Sequence, residues 1–146
     1  ILATCLSVAV FAQLDEALRR RNYNLENGVA LKEFDPVSYF KGKPERGNTK
    51  IFYEYKRVTY YFVSQENMEE FKKSPSKYEP AYGGWCAYSM GTEGKKVKIH
   101  PATFKIVNGK LYLFHNFNSK NLLLLWNGDE KKIKAAADKN WIKANH

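Results

Sequence analysis

Cys86, His100 and His115 are the side chains in this sequence whose types best suit chemistry. A thiolate with two imidazoles is a donor set for copper or zinc, since both ions bind soft sulfur and ring nitrogen well. Cys86 lies in an aromatic segment bent by Gly83 and Gly84, AYGGWCAYSM (Ala81–Met90). Its Tyr82, Trp85, Cys86 and Tyr88 form the candidate ligand-binding set, and Cys86, His100 and His115 the candidate metal set. Each has an ordinary reading beside the functional one. A lone cysteine is often a small buried hydrophobe. A histidine before a proline (His100) or at a strand end (His115) is commonly exposed or held by backbone. A cysteine nucleophile would need a neighbouring base and an oxyanion site. No motif fixes Cys86 and His115 in that geometry, so no catalytic residue is assigned. Asp35, Glu54, Glu66 and Asp129 read as cap or surface carboxylates, and Asp35 as a helix cap rather than an acid or base. His146, the last residue, is expected to be mobile.

The elements that must position these residues follow from periodicity and punctuation. Gln13–Asn24 has Leu14, Ala17 and Leu18 at helical spacing and reads as an amphipathic lead-in helix or a loose arm. Its Arg19-Arg20-Arg21 reads as a solvated cluster at the negative end of that helix. Asn27-Gly28 is a turn signal, Val29–Phe34 a short strand, and Asp35-Pro36 the start of a short helix carrying Val37, Tyr39 and Phe40 inward. After a loop at Lys41–Lys50, Ile51–Tyr55 and Val58–Val63 alternate aromatic and polar positions, as a hairpin with one buried face does. Ser64 can cap a helix over Gln65–Lys73, ended by Pro75. Farther on, Asn108-Gly109 is the strongest hairpin turn in the chain, between Thr103–Val107 and Lys110–Phe114. Asn118–Trp126 and Asp129–Asn140 read as helices, with Leu122–Leu125 buried against the sheet.

At 146 residues the chain is one domain in size. Net charge is +9, so acidic partners have to be considered. Residues 1–12, ILATCLSVAVFA, are apolar and uncharged, and Val10-Phe11-Ala12 fits a signal peptidase site. They read as the apolar region of a cleaved secretory signal whose charged start is missing from this copy. Twelve residues are too few to span a bilayer, which takes about 20. Cys5 reads as part of that apolar region rather than as a lipidated cysteine. Residues 13–28 then form a lead-in and 29–146 a single domain. Removal of the signal leaves Cys86 alone, so the fold cannot rely on an internal disulfide. Secretion separates the protein from nucleic acid, and the alternating aromatics suit a core, so no nucleic acid is expected. Lys95, Lys96 and Lys98 read as a solvated edge. Weak contact with anionic surfaces is the looser use of the charge.

The order DPVSYF (Asp35–Phe40), then YYFVSQENMEEFKKSPSKY (Tyr60–Tyr78), resembles the YHS domain. With YGGWCAY, NGKLYL (Asn108–Leu113) and ADKNWI (Ala137–Ile142), it looks like a subgroup of small secreted bacterial members. Metal-binding relatives carry cysteines where this chain has Ser38, Val63 and Asn67. The resemblance therefore implies a scaffold without that thiolate site.

The sequence predicts an α+β fold: a small antiparallel β-hairpin sheet packed with short helices, YHS-like. It predicts a secreted or periplasmic bacterial protein acting as a non-catalytic binding or accessory module for a small ligand or an extracytoplasmic protein partner. The competing expectation is copper or zinc handling by Cys86 with His115 or His100.

Overall fold

Val58, Tyr60 and Phe62 alternate with Thr59 and Tyr61, and that period of two buries one face of strand β4. This computed structural model describes residues 2–145, with side chains from Ser7 onward, so the expectations for His146 and for the Cys5 side chain lie outside it. The fold is α+β. Its largest sheet runs β1-β2-β4-β3, where β1 is Leu25–Glu26, β2 Val29–Ala30, β3 Asn48–Tyr55 and β4 Val58–Phe62. Pairing is antiparallel except between β2 and β4, where Val29 lies beside Thr59 in a parallel contact. β3 begins earlier than Ile51 because Asn48 pairs with Phe62 across a bulge.

The strand expected over Val29–Phe34 stops at Ala30. Leu31, Lys32 and Glu33 take φ of +60°, +50° and +72°, a left-handed reversal that cannot continue a strand. The reversal delivers Asp35 to the head of helix α1, defined here as Pro36–Phe40, which Asp35 caps as expected. Helix α2 (Gln65–Lys73) starts at Ser64, whose hydroxyl accepts from Asn67 N at 3.2 Å. It ends before a short turn of helix, α3 (Pro75–Tyr78). Phe71 on α2 is fully buried against the rings of Tyr53, Tyr55, Tyr60, Phe62 and Tyr78, with centroids 4.8–6.4 Å away. That ring cluster is where the first half of the chain finds its core.

A second core lies under the C-terminal half. Helix α4 (Ala87–Glu93) packs on α6 (Glu130–Ala144) so closely that a Cβ on Gly91 would meet Ile133 at 2.5 Å. Strands β5 (Phe104–Val107) and β6 (Lys110–Leu113) form the expected hairpin, with Asn108 and Gly109 both left-handed. The helix predicted from Asn118 begins later. Asn118 and Ser119 have φ of +53° and +62° and form the turn of a small hairpin, β7 (Asn116–Phe117) and β8 (Lys120–Asn121). Asn121 then caps α5 (Leu122–Gly128), its side chain accepting from Leu123 N at 3.0 Å. The Leu122–Leu125 run is not buried as a block: Leu124 is 67% and Leu125 51% exposed. Four consecutive helical residues circle the axis, so Leu122 and Trp126, one turn apart, enter the core while Leu123 packs at its edge.

The lead-in is one helix, αN (Leu2–Asn22), without a break after residue 12. Val8, Val10, Phe11 and Leu14 stand exposed on it. Among the described residues no helix is long and apolar enough to cross a membrane. The other end of αN is bound tightly to the domain, which corrects the reading of Arg19 as solvated. Arg19 pairs with Glu79 at 2.8 Å, with side chains only 12% and 7% exposed. Glu79 also accepts from the buried Tyr60 hydroxyl at 2.6 Å, and Arg19 donates to Tyr23 Oη at 2.8 Å. Burial alone would lower the proton affinity of Arg19, but the bond to Glu79 and its field prevail and the net direction is upward. Arg19 also donates to the Lys56 carbonyl at 3.3 Å, and Arg20 to that of Arg57 at 3.3 Å. Lys56 and Arg57 are the two left-handed residues of the β3–β4 turn, φ +45° and +67°, neither a glycine. The arginines therefore brace a turn whose own residues are strained.

Candidate functional site

The structure disperses the candidate metal set. Cys86 is fully buried, and its Sγ accepts from the backbone N of His115 at 3.3 Å and from Ser89 Oγ at 3.6 Å. The His115 ring is held elsewhere, its Nδ1 3.2 Å from the Lys98 carbonyl. His100 Nδ1 accepts from Ala102 N at 3.1 Å, closing a local turn. Both imidazoles instead border Phe117, with centroids 5.8 and 5.0 Å away. Among the described residues no group of three His, Cys, Asp or Glu could hold a metal ion. Cys86 has the small-hydrophobe role that the sequence offered as its ordinary reading.

The candidate ligand set is split as well. Trp85 donates from Nε1 to the Asn22 carbonyl at 2.7 Å and so ties the end of αN to the domain. Tyr88 lines a cavity of about 380 Å³ with Ser89, His115, Lys120, Leu122 and Leu125. Tyr82 lines another, of about 270 Å³, with Tyr23, Gly83, Lys110, Tyr112, Asp138 and Trp141.

The Tyr82 cavity is built from three separate stretches. YGGWCAY supplies Tyr82 and Gly83, NGKLYL supplies Lys110 and Tyr112, and the C-terminal ADKNWI supplies Asp138 and Trp141. Lys110 and Tyr112 are two apart on β6 and so share a face; Asp138 and Trp141 are three apart on α6 and do the same. Those spacings are the signal that sequence reasoning had available. In the sequence alone they mark the fold and do not show that their faces converge. The backbone at the cavity is strained: Tyr82 has φ +55°, in a region bulky residues rarely occupy. Gly83 follows at φ +60°, and a Cβ there would lie 2.9 Å from Trp141 Cη2 and 3.0 Å from Tyr23 Cδ1. Only glycine fits that approach.

Two bonds fix the Tyr82 ring and its partner. The Tyr82 hydroxyl donates to Asp138 Oδ1 at 2.8 Å, and Lys134 donates to Asp138 Oδ2 at 3.2 Å. Burial, then the bond to Asp138 and its charge, push the Tyr82 hydroxyl far above the ordinary tyrosine range. Tyr82 therefore stays neutral and acts as a donor. Lys110 is the other polar head. Burial lowers its proton affinity, against the opposing field of Glu79. Its Nζ makes one long bond, 3.4 Å to the Ser76 carbonyl.

A second polar centre was visible as a cap but not as a cluster. Asp35 is completely buried. Its Oδ1 accepts from Val37 N at 2.7 Å and Ser38 N at 3.3 Å. Its Oδ2 accepts from Val63 N at 2.9 Å and Asn67 Nδ2 at 2.8 Å. Lys41 Nζ reaches Asn67 Oδ1 at 2.6 Å. Ser38, Val63 and Asn67, the positions at which the resemblance implies cysteine in metal-binding relatives, thus meet around one carboxylate.

Comparison with family models, curated proteins and solved structures returns no match for this chain. Its structure places it in the α+β class.

Proposed function

We propose that this chain is a secreted, non-catalytic binding module on a YHS-like scaffold, and that the Tyr82 cavity is its ligand site. One observation carries the site: three motifs distant in sequence bring aromatic and charged side chains to one cavity, beside a backbone strained at Tyr82. Strain in a bulky residue persists only where the surroundings impose it, and it clusters at ligand sites. A concave space with aromatic walls and a few polar heads is the ordinary form of a small-molecule pocket. The meeting of Ser38, Val63 and Asn67 around Asp35 supports the YHS-like scaffold, because residues far apart in sequence converge where the resemblance requires them to. The exposed apolar stretch of αN supports a cleaved signal, with Arg19 and Asn22 keeping the remaining helix docked.

The test is a screen of ring-containing fragments by ¹H–¹⁵N spectroscopy of the full chain. Binding that moves the Tyr82, Gly83 and Trp141 signals, and that is lost in Gly83→Ala, is the expected result. Fragments that bind elsewhere, or equally well to Gly83→Ala, would refute the site.

A further inference from the structure

Resting on that reading of the cavity, we infer that its ligand is a small ring-bearing carboxylate, the ring lying among Tyr82, Tyr112 and Trp141 and the carboxylate meeting Lys110. The polar atoms of the lining differ in how fully the protein uses them. Asp138 has one oxygen taken by Tyr82 and the other by Lys134. Tyr23 Oη accepts from Arg19 at 2.8 Å. An ammonium carries three donors, yet Lys110 Nζ has the single long contact to Ser76. Of the two charged heads on the lining, Lys110 is thus the one with capacity to spare, and a carboxylate is the acceptor that fills it best. Charge favours the same sign of ligand. Lys134 offsets Asp138, and Glu79, whose field reaches Lys110, is itself paired with Arg19, which leaves Lys110 as the charge on the lining without an ion pair of its own. The walls are flat: Tyr82 and Tyr112 lie with centroids 5.8 Å apart and Tyr23 and Trp141 6.1 Å apart, each pair tilted by 56°. Such faces suit a ring. A volume of about 270 Å³ limits the ligand to one ring with a short substituent.

Three probes of nearly equal shape separate the terms: benzoate, benzamide and benzylammonium, titrated into the full chain with the Trp141 indole signal as readout. The fully buried Trp126 indole, packed behind Tyr112 with centroids 5.5 Å apart, gives the response one residue back from the cavity. Benzoate is expected to move Trp141 more than Trp126, and to bind at least about tenfold tighter than benzamide, a difference of about 1.4 kcal/mol. Lys110→Met is expected to erase that preference while benzamide still binds, and Lys110→Arg to retain it. Benzamide or benzylammonium binding as tightly as benzoate, or a preference that survives Lys110→Met, overturns the carboxylate assignment and leaves the cavity as a ligand site. No movement of Trp141 with any probe overturns the cavity as well. The probe series on the unmutated chain decides the matter even if Lys110→Met fails to fold.

Discussion

Asp35 and Asp138 are both aspartates hydrogen-bonded to the residues around them, and they sit in regions of opposite character. Asp35 is wholly buried and its two oxygens take four donors, so the roughly four acceptor positions of a carboxylate are filled. It sits at a helix cap and a strand end, just after the left-handed reversal of Leu31–Glu33. Asp138 is half exposed, takes two donors, and borders a cavity with a strained Tyr82 and an under-used Lys110. Saturation in the first region means that nothing remains with which to bind another molecule. Residual capacity in the second is what binding needs. The stretch with the most recognisable motif has its polar groups filled from within, and the spare hydrogen-bonding capacity lies where motifs meet in space.

The largest expected effect comes from Asp35→Asn. The amide nitrogen would present a donor to N–H groups that already need acceptors, leaving two buried donors unsatisfied. A loss of about 4 kcal/mol is expected in chemical denaturation, while whatever protein remains folded binds fragments as before. A loss below about 1 kcal/mol would mean that the cluster around Asp35 is not saturated as described.

Arg19→Met is next, at about 3 kcal/mol, since it strands the buried Glu79 carboxylate and releases the strained Lys56–Arg57 turn. The same network predicts a pH dependence. Burial and Glu79 push the Tyr23 hydroxyl up to about 12 from its ordinary 10.0. The folded state therefore holds this proton more tightly than the unfolded chain. The resulting stability is fully present below pH 10 and is lost as pH rises toward about 12. Unfolding free energies measured from about pH 9 upward should fall, by about 3 kcal/mol at most from this group, and Tyr23→Phe should flatten the slope. An unchanged slope in Tyr23→Phe would remove Tyr23 from the account.

Much of the fold was legible because local rules and tertiary packing agree there. The alternation in Val58–Phe62, the Ser64 cap, the Pro75 stop and the Asn108-Gly109 turn each follow from one residue's own conformational limits. The misreadings fall where a neighbour decides. Leu31–Glu33 are left-handed without glycine where the sequence reads as a strand, and only the surrounding chain explains it. Arg19 resembled every other exposed helix-end cation until Glu79, sixty residues away, met it. The site was half legible for the same reason. Tyr82 stood out in its segment, but Lys110, Tyr112, Asp138 and Trp141 become a lining only once β6 and α6 are folded against it.

Asp138→Asn makes the sharpest use of the comparison, because the same substitution should do almost the opposite of what it does at Asp35. The oxygen of the new amide can still accept from the Tyr82 hydroxyl, so the ring stays in place. The lost pair with Lys134 is a surface i,i+4 contact, worth about 0.3–0.5 kcal/mol. Stability is therefore expected to change by less than about 0.5 kcal/mol. Removing a negative charge beside the cavity also frees the Lys134 charge to act on its occupant. Benzoate binding should tighten about two- to fivefold at low salt and return toward the unmutated value as salt screens the added field. A destabilisation near that of Asp35→Asn would show that Asp138 is a structural carboxylate like its counterpart, and the contrast between the two regions would be lost.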